Sequence, residues 1–469
     1  MTLPKWHLFS DGQTHIAYNP ENMTFYRLTD QAWAERHLAE PATDSPPVPE
    51  AGSAPTQEEP SSRLQAVFAV PVNEENWTLE RLVMIVTTHC NLRCRYCYAK
   101  DGAYGMPRQQ MDANLARRAV DWMLQLFSFI ATLQFFGGEP SLNYEAIRAV
   151  CEAFEQHYAS GRLEKLPQYA MVTNGTCLPP RLEELIRRYG MHVTYSIDGP
   201  PEVHDRNRFF MSGKGSFQKT IANFKRLRLV NSASVGVEMT FSPQALDAGY
   251  GIWELAQFSR VELGLPEPHI APVASEPGGV TSWDRRIEEA VASYRIAAAN
   301  SLQSLLDGQY VSFSIVSGML RTLISKRPRN IICPAGAATL AVDPQGDIYP
   351  CFMFAGHSAV CLGNVNTPAD RKILADRLRA FMRHNRKDTH AACRECWARS
   401  LCSGCLGDTQ LSTGSLEGES PLMCAIMKAV AEETMLFLAK IRNDAEAWRR
   451  FVNHYRQWRL DLVNPAQVV

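Results

Sequence analysis

The sequence lacks any long apolar run. Its longest, LFSFIATLQFF, is too short and too mixed to span a bilayer. The opening MTLPKWHLFSDGQ has no charged start followed by an apolar core, so neither an export signal nor an anchor is expected. Charge of one sign is also missing. Lys+Arg 48 against Asp+Glu 49 gives no global field to draw nucleic acid or an anionic membrane. A cytoplasmic protein with neither partner is the expectation. One local basic run, Lys326, Arg327 and Arg329, reads as solvated surface. A third shortfall is sharper: TTHCNLRCRYCYAK supplies Cys90, Cys94 and Cys97 and then no fourth cysteine.

What is present suffices for a globular protein of several parts. Across 469 residues, 45% apolar content builds real cores. Thirteen cysteines in a reducing compartment, clustered near residues 90 and 400, argue for metal rather than disulfides. Residues 41–66, rich in Pro, Ala, Ser and Glu, read as a flexible linker. Before it, at 1–40, WHLFSDG, THIAYNPEN and MTFYRLT predict three short strands with Asp-Gly and Asn-Pro turns. A helix over DQAWAERHLAE follows, with Asp30 as its cap. This α+β unit is expected to be separate and small.

Over 75–310 the runs RLVMIVTT, ATLQFFGG, YAMVTNG, HVTYSID, SVGVEMTF and HIAPVA alternate with helical patterns. Six such repeats predict an α/β fold, a partial (β/α)6 barrel of the TIM type with parallel strands. Chemistry in such folds collects where strands end. Cys90, Gly137, Asn174, Ser196 and Asp198 fall at or just past those ends. From 330 to 430 the alternation stops and cysteine-bearing segments take over, which predicts a region stapled by metal rather than by an apolar core. A helical segment closes the chain at 431–469.

Three thiolates from one loop suit zinc with a ligand from elsewhere, or three irons of a 4Fe–4S cluster whose fourth iron stays open. The spacing alone does not choose. FFGGEP, TNG and SIDGPPEVHDRNRFFMSGKGSF, at the ends of the second, third and fourth predicted strands, break the tie.

With these motifs, residues 81 to about 275 resemble a radical S-adenosylmethionine (SAM) enzyme core. The resemblance implies that SAM fills the open iron, and that an electron from the cluster splits it to a 5′-deoxyadenosyl radical. It assigns Gly137, Gly138 and Glu139 to the methionine amino group, Ser196 and Asp198 to the ribose, and Arg208 to the SAM carboxylate. Asn174 goes to the ribose or methionine, Ile270 to adenine packing, and Tyr96 to the adenine side. His89 and His204 have no matching partner and are read as structural; Cys151 and Cys177 are read as free cysteines.

The later segments CPAGAATLAVDPQGDIYPCF and CRECWARSLCSGC resemble the SPASM extension of peptide-modifying radical SAM enzymes, which holds two auxiliary 4Fe–4S clusters. The resemblance places Cys393, Cys396, Cys402 and Cys424 on the outer cluster, and Cys333, Cys351 and Cys405 on the inner one. The eighth position falls to Cys361 or to a substrate thiolate. Cys402 and Cys405 stand one residue closer together than the family usually writes. In all, three 4Fe–4S clusters and SAM are implied.

The SPASM resemblance implies a peptide or protein substrate, and the N-terminal strands resemble the opening of thioether-forming maturases, where a sheet can accept a leader segment. Length and cysteine spacing are most similar to those maturases that act on the small (gamma) subunit of quinohemoprotein amine dehydrogenase. That implies crosslinks from Cys sulfur to Asp or Glu methylene carbons, a leader-bearing precursor as partner, and a flavodoxin or ferredoxin as electron donor. Formylglycine generation, as in anaerobic sulfatase maturation, and a non-enzymatic zinc scaffold are the alternatives. No general base stands out.

Overall fold

A computed structural model describes residues 6–38, 77–229, 234–274, 278–279 and 281–463. The linker expected at 41–66 lies outside them.

The N-terminal strands β1 (His7–Ser10), β2 (His15–Asn19) and β3 (Thr24–Leu28) form an antiparallel sheet in sequence order. Short polar side chains make its turns. Asp11 Oδ1 accepts the backbone N–H groups of Gln13 (3.0 Å) and Thr14 (2.8 Å), and Asn22 Oδ1 accepts that of Thr24 (3.0 Å). The helix Asp30–Leu38 follows. Its cap is Thr29, not Asp30: the Ala32 N–H donates to Thr29 Oγ1 at 3.2 Å, while the Asp30 carboxylate lies 3.4 Å from His15 Nε2. A hydroxyl one residue earlier reaches the orphan amide that Asp30, already helical, cannot.

This unit is docked rather than free-standing. Ile16 and Tyr18 are fully buried. The His7 ring stacks on Trp397 with centroids 3.8 Å apart, Tyr18 meets the same indole edge-on, and His7 Nε2 lies 3.0 Å from Glu432 Oε1 on the helix Pro421–Arg442. The small sheet is thereby fixed to the cysteine-rich region and to the closing helix.

The main sheet carries six parallel strands in sequence order: β4 (Trp77–Thr87), β5 (Phe127–Gly137), β6 (Gln168–Thr173), β7 (His192–Ser196), β8 (Val235–Phe241) and β9 (His269–Pro272). Helices follow the strands, as the apolar periodicity predicts, and give an open (β/α)6 arrangement. One feature exceeds the expectation. β10 (Thr339–Val342) pairs in parallel with β4, in the register Thr339 with Arg81, and β11 (Asp347–Tyr349) and β12 (Gly363–Asn364) extend the sheet to nine strands. The cysteine-rich region is thus welded to the barrel edge.

Alternation along the strands gives the sheet two faces. Leu82, Met84 and Val86 join the large core under the helices, whereas Val83 and Ile85 face a second apolar cluster with Tyr104, Ala341, Tyr349, Phe354 and Leu406. This corrects the expectation that the C-terminal region depends on metal in place of a core. It has one, borrowed in part from β4.

Candidate functional site

The loop after β4 folds back on itself: the Cys97 N–H donates to Cys94 O (3.2 Å) and the Lys100 N–H to Cys97 O (3.0 Å). Burial, with Cys97 among the lesser causes, pushes the Cys90 thiol up to about 11 and Cys94 up to about 12. The three thiols are therefore electrostatic neighbours, and burial keeps Cys90 and Cys94 protonated in the absence of a cation. Two glycines let backbone approach them. A Cβ on Gly138 would lie 2.3 Å from His89 O, and one on Gly102 would lie 2.6 Å from Gly138 Cα and 2.9 Å from Cys90 Cβ. The end of β5 is sealed against the loop by Gly138 N–H to Thr87 O and Glu139 N–H to His89 O, both 2.8 Å. Gly137, at φ +148°, leaves no room for a side chain over Thr87 O.

Glu139 is 1% exposed, and its carboxylate ties two strand ends together. Oε1 accepts from Ser141 N (3.0 Å) and Thr173 Oγ1 (2.6 Å), and Oε2 from Asn174 N (2.7 Å). Burial raises its pKa against those bonds. Asn174 Nδ2 in turn donates to Asn91 Oδ1 at 2.9 Å and comes within 3.9 Å of Cys90 Sγ. The residues expected at the strand ends and in the cysteine loop are thus one connected network.

Asp198 is fully buried just past β7. It accepts from Arg208 Nε (3.0 Å), from the Thr240 N–H (3.1 Å) and from the Tyr96 hydroxyl, and the Arg208 guanidinium sits 5.3 Å from the Tyr96 ring centroid. Burial opposes the Arg208 charge, but Asp198 and Tyr96 hold its pKa well above the ordinary value. Tyr96 belongs to this cluster. His204 carries the frame: its Nδ1 accepts the Asp198 N–H (3.3 Å) and its Nε2 lies 2.9 Å from Ser216 Oγ. His89 makes a backbone bond to Thr87 Oγ1, Cys151 is buried in the helix Tyr144–Ala159, and Cys177 is half-buried.

Ile270 stands apart. It is 0% exposed within the core on the helix side of the sheet, paired in register with Met239. The opposite, concave side presents half-buried polar residues at alternate positions, Gln134, Thr194, Ser196, Glu238 and Thr240. An adenine on that side would therefore not meet the Ile270 side chain. Gln134 Oε1 is buried there without a partner. Sequence reasoning passed over Glu238 and Thr240, although VGVEMTF on β8 spaces them two apart.

The later cysteines fall into two groups. Burial first, and then the neighbouring thiols, raise Cys402 (Cys396 and Cys393) and Cys424 (Cys402, Cys393 and Cys396), the latter to about 12. Cys333 and Cys351 are pushed to about 11 and Cys405 to about 12, with Cys351 beside Cys333, Cys405 beside Cys351 and Cys333 beside Cys405. The shortened Cys402–Cys405 spacing still lets each residue reach its own group. Cys361 is placed differently: its Sγ donates to Gly363 O (3.3 Å), with Asp347 and Arg377 as charged neighbours. Phe352, next to Cys351, packs on Phe136 of β5 with centroids 4.4 Å apart, which sets the second group beside the concave face. Lys387, unremarked in the sequence, is 5% exposed and donates through Nζ to Arg329 O (2.8 Å), Arg399 O (2.6 Å) and Cys402 O (2.6 Å).

Among the described residues no group of three or more His, Cys, Asp or Glu side chains closes around a single metal ion. Zinc would draw its thiolates to about 2.3 Å from one centre. Three sets of neighbouring thiols fit iron–sulfur clusters by donor chemistry.

The radical SAM superfamily profile matches residues 84–244, and that of the SPASM iron-sulfur cluster-binding domain matches residues 333–397. The chain is a radical SAM protein with a SPASM domain, and SAM and iron–sulfur clusters are its cofactors. It is 25% identical to a cysteine-type anaerobic sulfatase-maturating enzyme of Clostridium novyi over 58% of this chain and 73% of that protein. With the radical SAM cyclopropyl synthase TigE of Paramaledivibacter caminithermalis it shares 22% identity over 72% and 70%. The structure of native anSMEcpe with bound AdoMet and Cp18Cys peptide has the same fold, with TM-score 0.63 and 18% identity over 81% of this chain and 99% of that one. No helix among the described residues is long and apolar enough to cross a membrane.

Proposed function

We propose that the protein is a peptide maturase that joins a cysteine sulfur to the side-chain methylene carbon of an Asp or Glu within one polypeptide, of the kind represented by the amine dehydrogenase gamma-subunit precursor. When bound, the cluster and SAM supply a 5′-deoxyadenosyl radical that removes one substrate hydrogen atom. Cys90, Cys94 and Cys97 hold that cluster, Gly137 and Gly138, having no side chains, bring the end of β5 close to the loop beside the methionine end, and Arg208 faces its carboxylate. Asp198, Tyr96, Ser196 and Asn174 orient the nucleoside, and Glu139 holds Asn174 in place. Cys393, Cys396, Cys402 and Cys424 form the outer auxiliary set.

The observation that carries this reading is the inner set. Cys333, Cys351 and Cys405 neighbour one another while Cys361 points its thiol at Gly363 O, leaving three cysteines where a cubane takes four ligands. The remaining position suits a substrate cysteine. Each crosslink then removes two hydrogens: one leaves as an atom to the radical, and the thiol proton and one electron leave separately. The relatives that act on proteins or peptides by name support the substrate class.

Formylglycine generation remains the second reading because of the similarity to the sulfatase-maturating enzyme. Mass spectrometry of a co-expressed substrate separates the two. The proposal requires a loss of two hydrogens per crosslink with the sulfur retained and the cysteine no longer open to alkylation; loss of the sulfur, or loss of two hydrogens from a serine with every thiol still alkylated, overturns it in favour of formylglycine.

A further inference from the structure

The protein as a whole is nearly neutral, yet one cleft is strongly basic. About 880 Å³ in volume, it is lined by Arg329, Arg379, Arg383, Arg386, Lys387 and Arg399 against only two carboxylates, Glu21 and Asp388. Pro20 and Glu21, at the turn between β2 and β3, form one lip, and the helix Arg371–Asn385 contributes the opposite wall. The basic run expected to be plain surface therefore turns partly inward: Arg329 Nε donates to Thr322 Oγ1 at 3.1 Å. Arg383 is exposed and has no ion-pair partner among the described residues, and Arg386 pairs with Asp388 at the cleft.

The position is specific. The floor of the cleft is the backbone that carries the outer cysteine set. Lys387 Nζ donates to both Arg399 O and Cys402 O, and the Arg399 N–H bonds Cys396 O at 3.2 Å. The cleft adjoins both later cysteine sets: Lys387 reaches Cys402 O, and the lining residue Ile331 stands two positions before Cys333. An occupant of the cleft touches the outer set's own backbone without reaching the barrel interior. A peptide undergoing hydrogen abstraction must reach that interior; an electron carrier need not.

We propose that this cleft is the docking surface for a small acidic one-electron carrier protein of the flavodoxin class. The proposal rests on the crosslinking reading above, which requires an exit for one electron per bond. One electron enters to split each SAM, and one leaves when the carbon–sulfur bond forms with release of the thiol proton. The peptide is oxidised, and the oxidised carrier, seated against Arg379, Arg383 and Arg386, is reduced by that single electron. Charge complementarity of this kind acts chiefly on association and is screened by salt.

The test uses the reconstituted holoenzyme and an acidic flavodoxin. In R383E/R386E, at exposed positions outside the proposed cofactor machinery, the Kd for flavodoxin by calorimetric titration at low salt is expected to rise at least tenfold. The difference should shrink at 0.5 M salt, and dithionite-driven formation of 5′-deoxyadenosine should stay at the wild-type level. R187E, on a distant exposed helix, should leave the Kd unchanged. R383E alone serves if the double variant loses iron. An unchanged flavodoxin Kd overturns the proposal, as does weakened binding of the substrate peptide in place of the carrier. The binding measurement is independent of the product, so a failure to find thioether bonds counts against the crosslinking reading and not against the cleft.

Discussion

Arg208 Nε donates to Asp198 Oδ1 at 3.0 Å with the two side chains 10% and 0% exposed, so the pair is held almost wholly out of water. An ion pair so placed is sensitive to losing one member, since the other charge is left unmatched. Its second role under the proposal is to present the remaining guanidinium nitrogens to the SAM carboxylate. Arg208→Lys keeps the charge but not the fork. SAM affinity, measured by equilibrium dialysis, is expected to fall roughly ten- to a hundredfold, in keeping with about 1.5–3 kcal/mol for a charged hydrogen bond. Asp198→Asn should in addition lower the melting temperature.

Gly138→Ala places a methyl group where His89 O already stands, 2.3 Å away, and that oxygen is backbone. Either the end of β5 or the cysteine loop must move. Overpacking of this sort costs about 1–3 kcal/mol. The variant should fold, with a lower melting temperature, and should lose iron from the Cys90 site in preference to the other two. An unaltered iron content would show that the close approach is incidental.

His204 gives a pH dependence with a definite sign. Burial holds its pKa at about 4, against an ordinary 6.5, because the neutral ring accepts the Asp198 N–H. The unfolded chain takes up the proton at higher pH than the folded one, so this contribution is complete above pH 6.5 and is lost as pH falls toward 4. Its ceiling is on the order of 3 kcal/mol. Melting temperatures from pH 7 to pH 5 should fall less steeply in His204→Gln than in the wild type.

Iron counts test the grouping of the cysteines. Three four-iron clusters require about twelve irons per chain after anaerobic reconstitution. Cys361→Ala should keep them, because its thiol is engaged with Gly363 O, whereas Cys405→Ala should lose about four irons. Loss of iron in the Cys361 variant would put that residue on the inner cluster and close the position kept here for substrate.

The parts of this architecture that were legible in the sequence are those governed by local pattern. Six Val-, Ile- and Phe-rich runs between helical periods predict the parallel strands, and Gly137, Asn174 and Ser196 fall at their ends as expected. What escaped depends on distant partners. β10 is four residues long and buried throughout, so its TLAV carries no alternation to mark it, and its place in the main sheet comes from β4, more than 250 residues earlier. The docking of the N-terminal sheet depends on His7 meeting Trp397 and Glu432. Ile270 was assigned to adenine packing with no face specified, because HIAPVA is apolar at neighbouring positions and its parity cannot be read without the register to Met239. Glu139 was recognised by motif, but its bonds to Thr173 and Asn174 are visible only once β5 and β6 lie side by side.

The most direct test of the central claim is the formation of 5′-deoxyadenosine by anaerobically prepared, iron-replete protein given dithionite and SAM, with and without its polypeptide substrate. The account predicts that the nucleoside appears, and that Cys94→Ala abolishes it while leaving the two later cysteine sets loaded. Absence of 5′-deoxyadenosine from the wild-type protein under both conditions would contradict it.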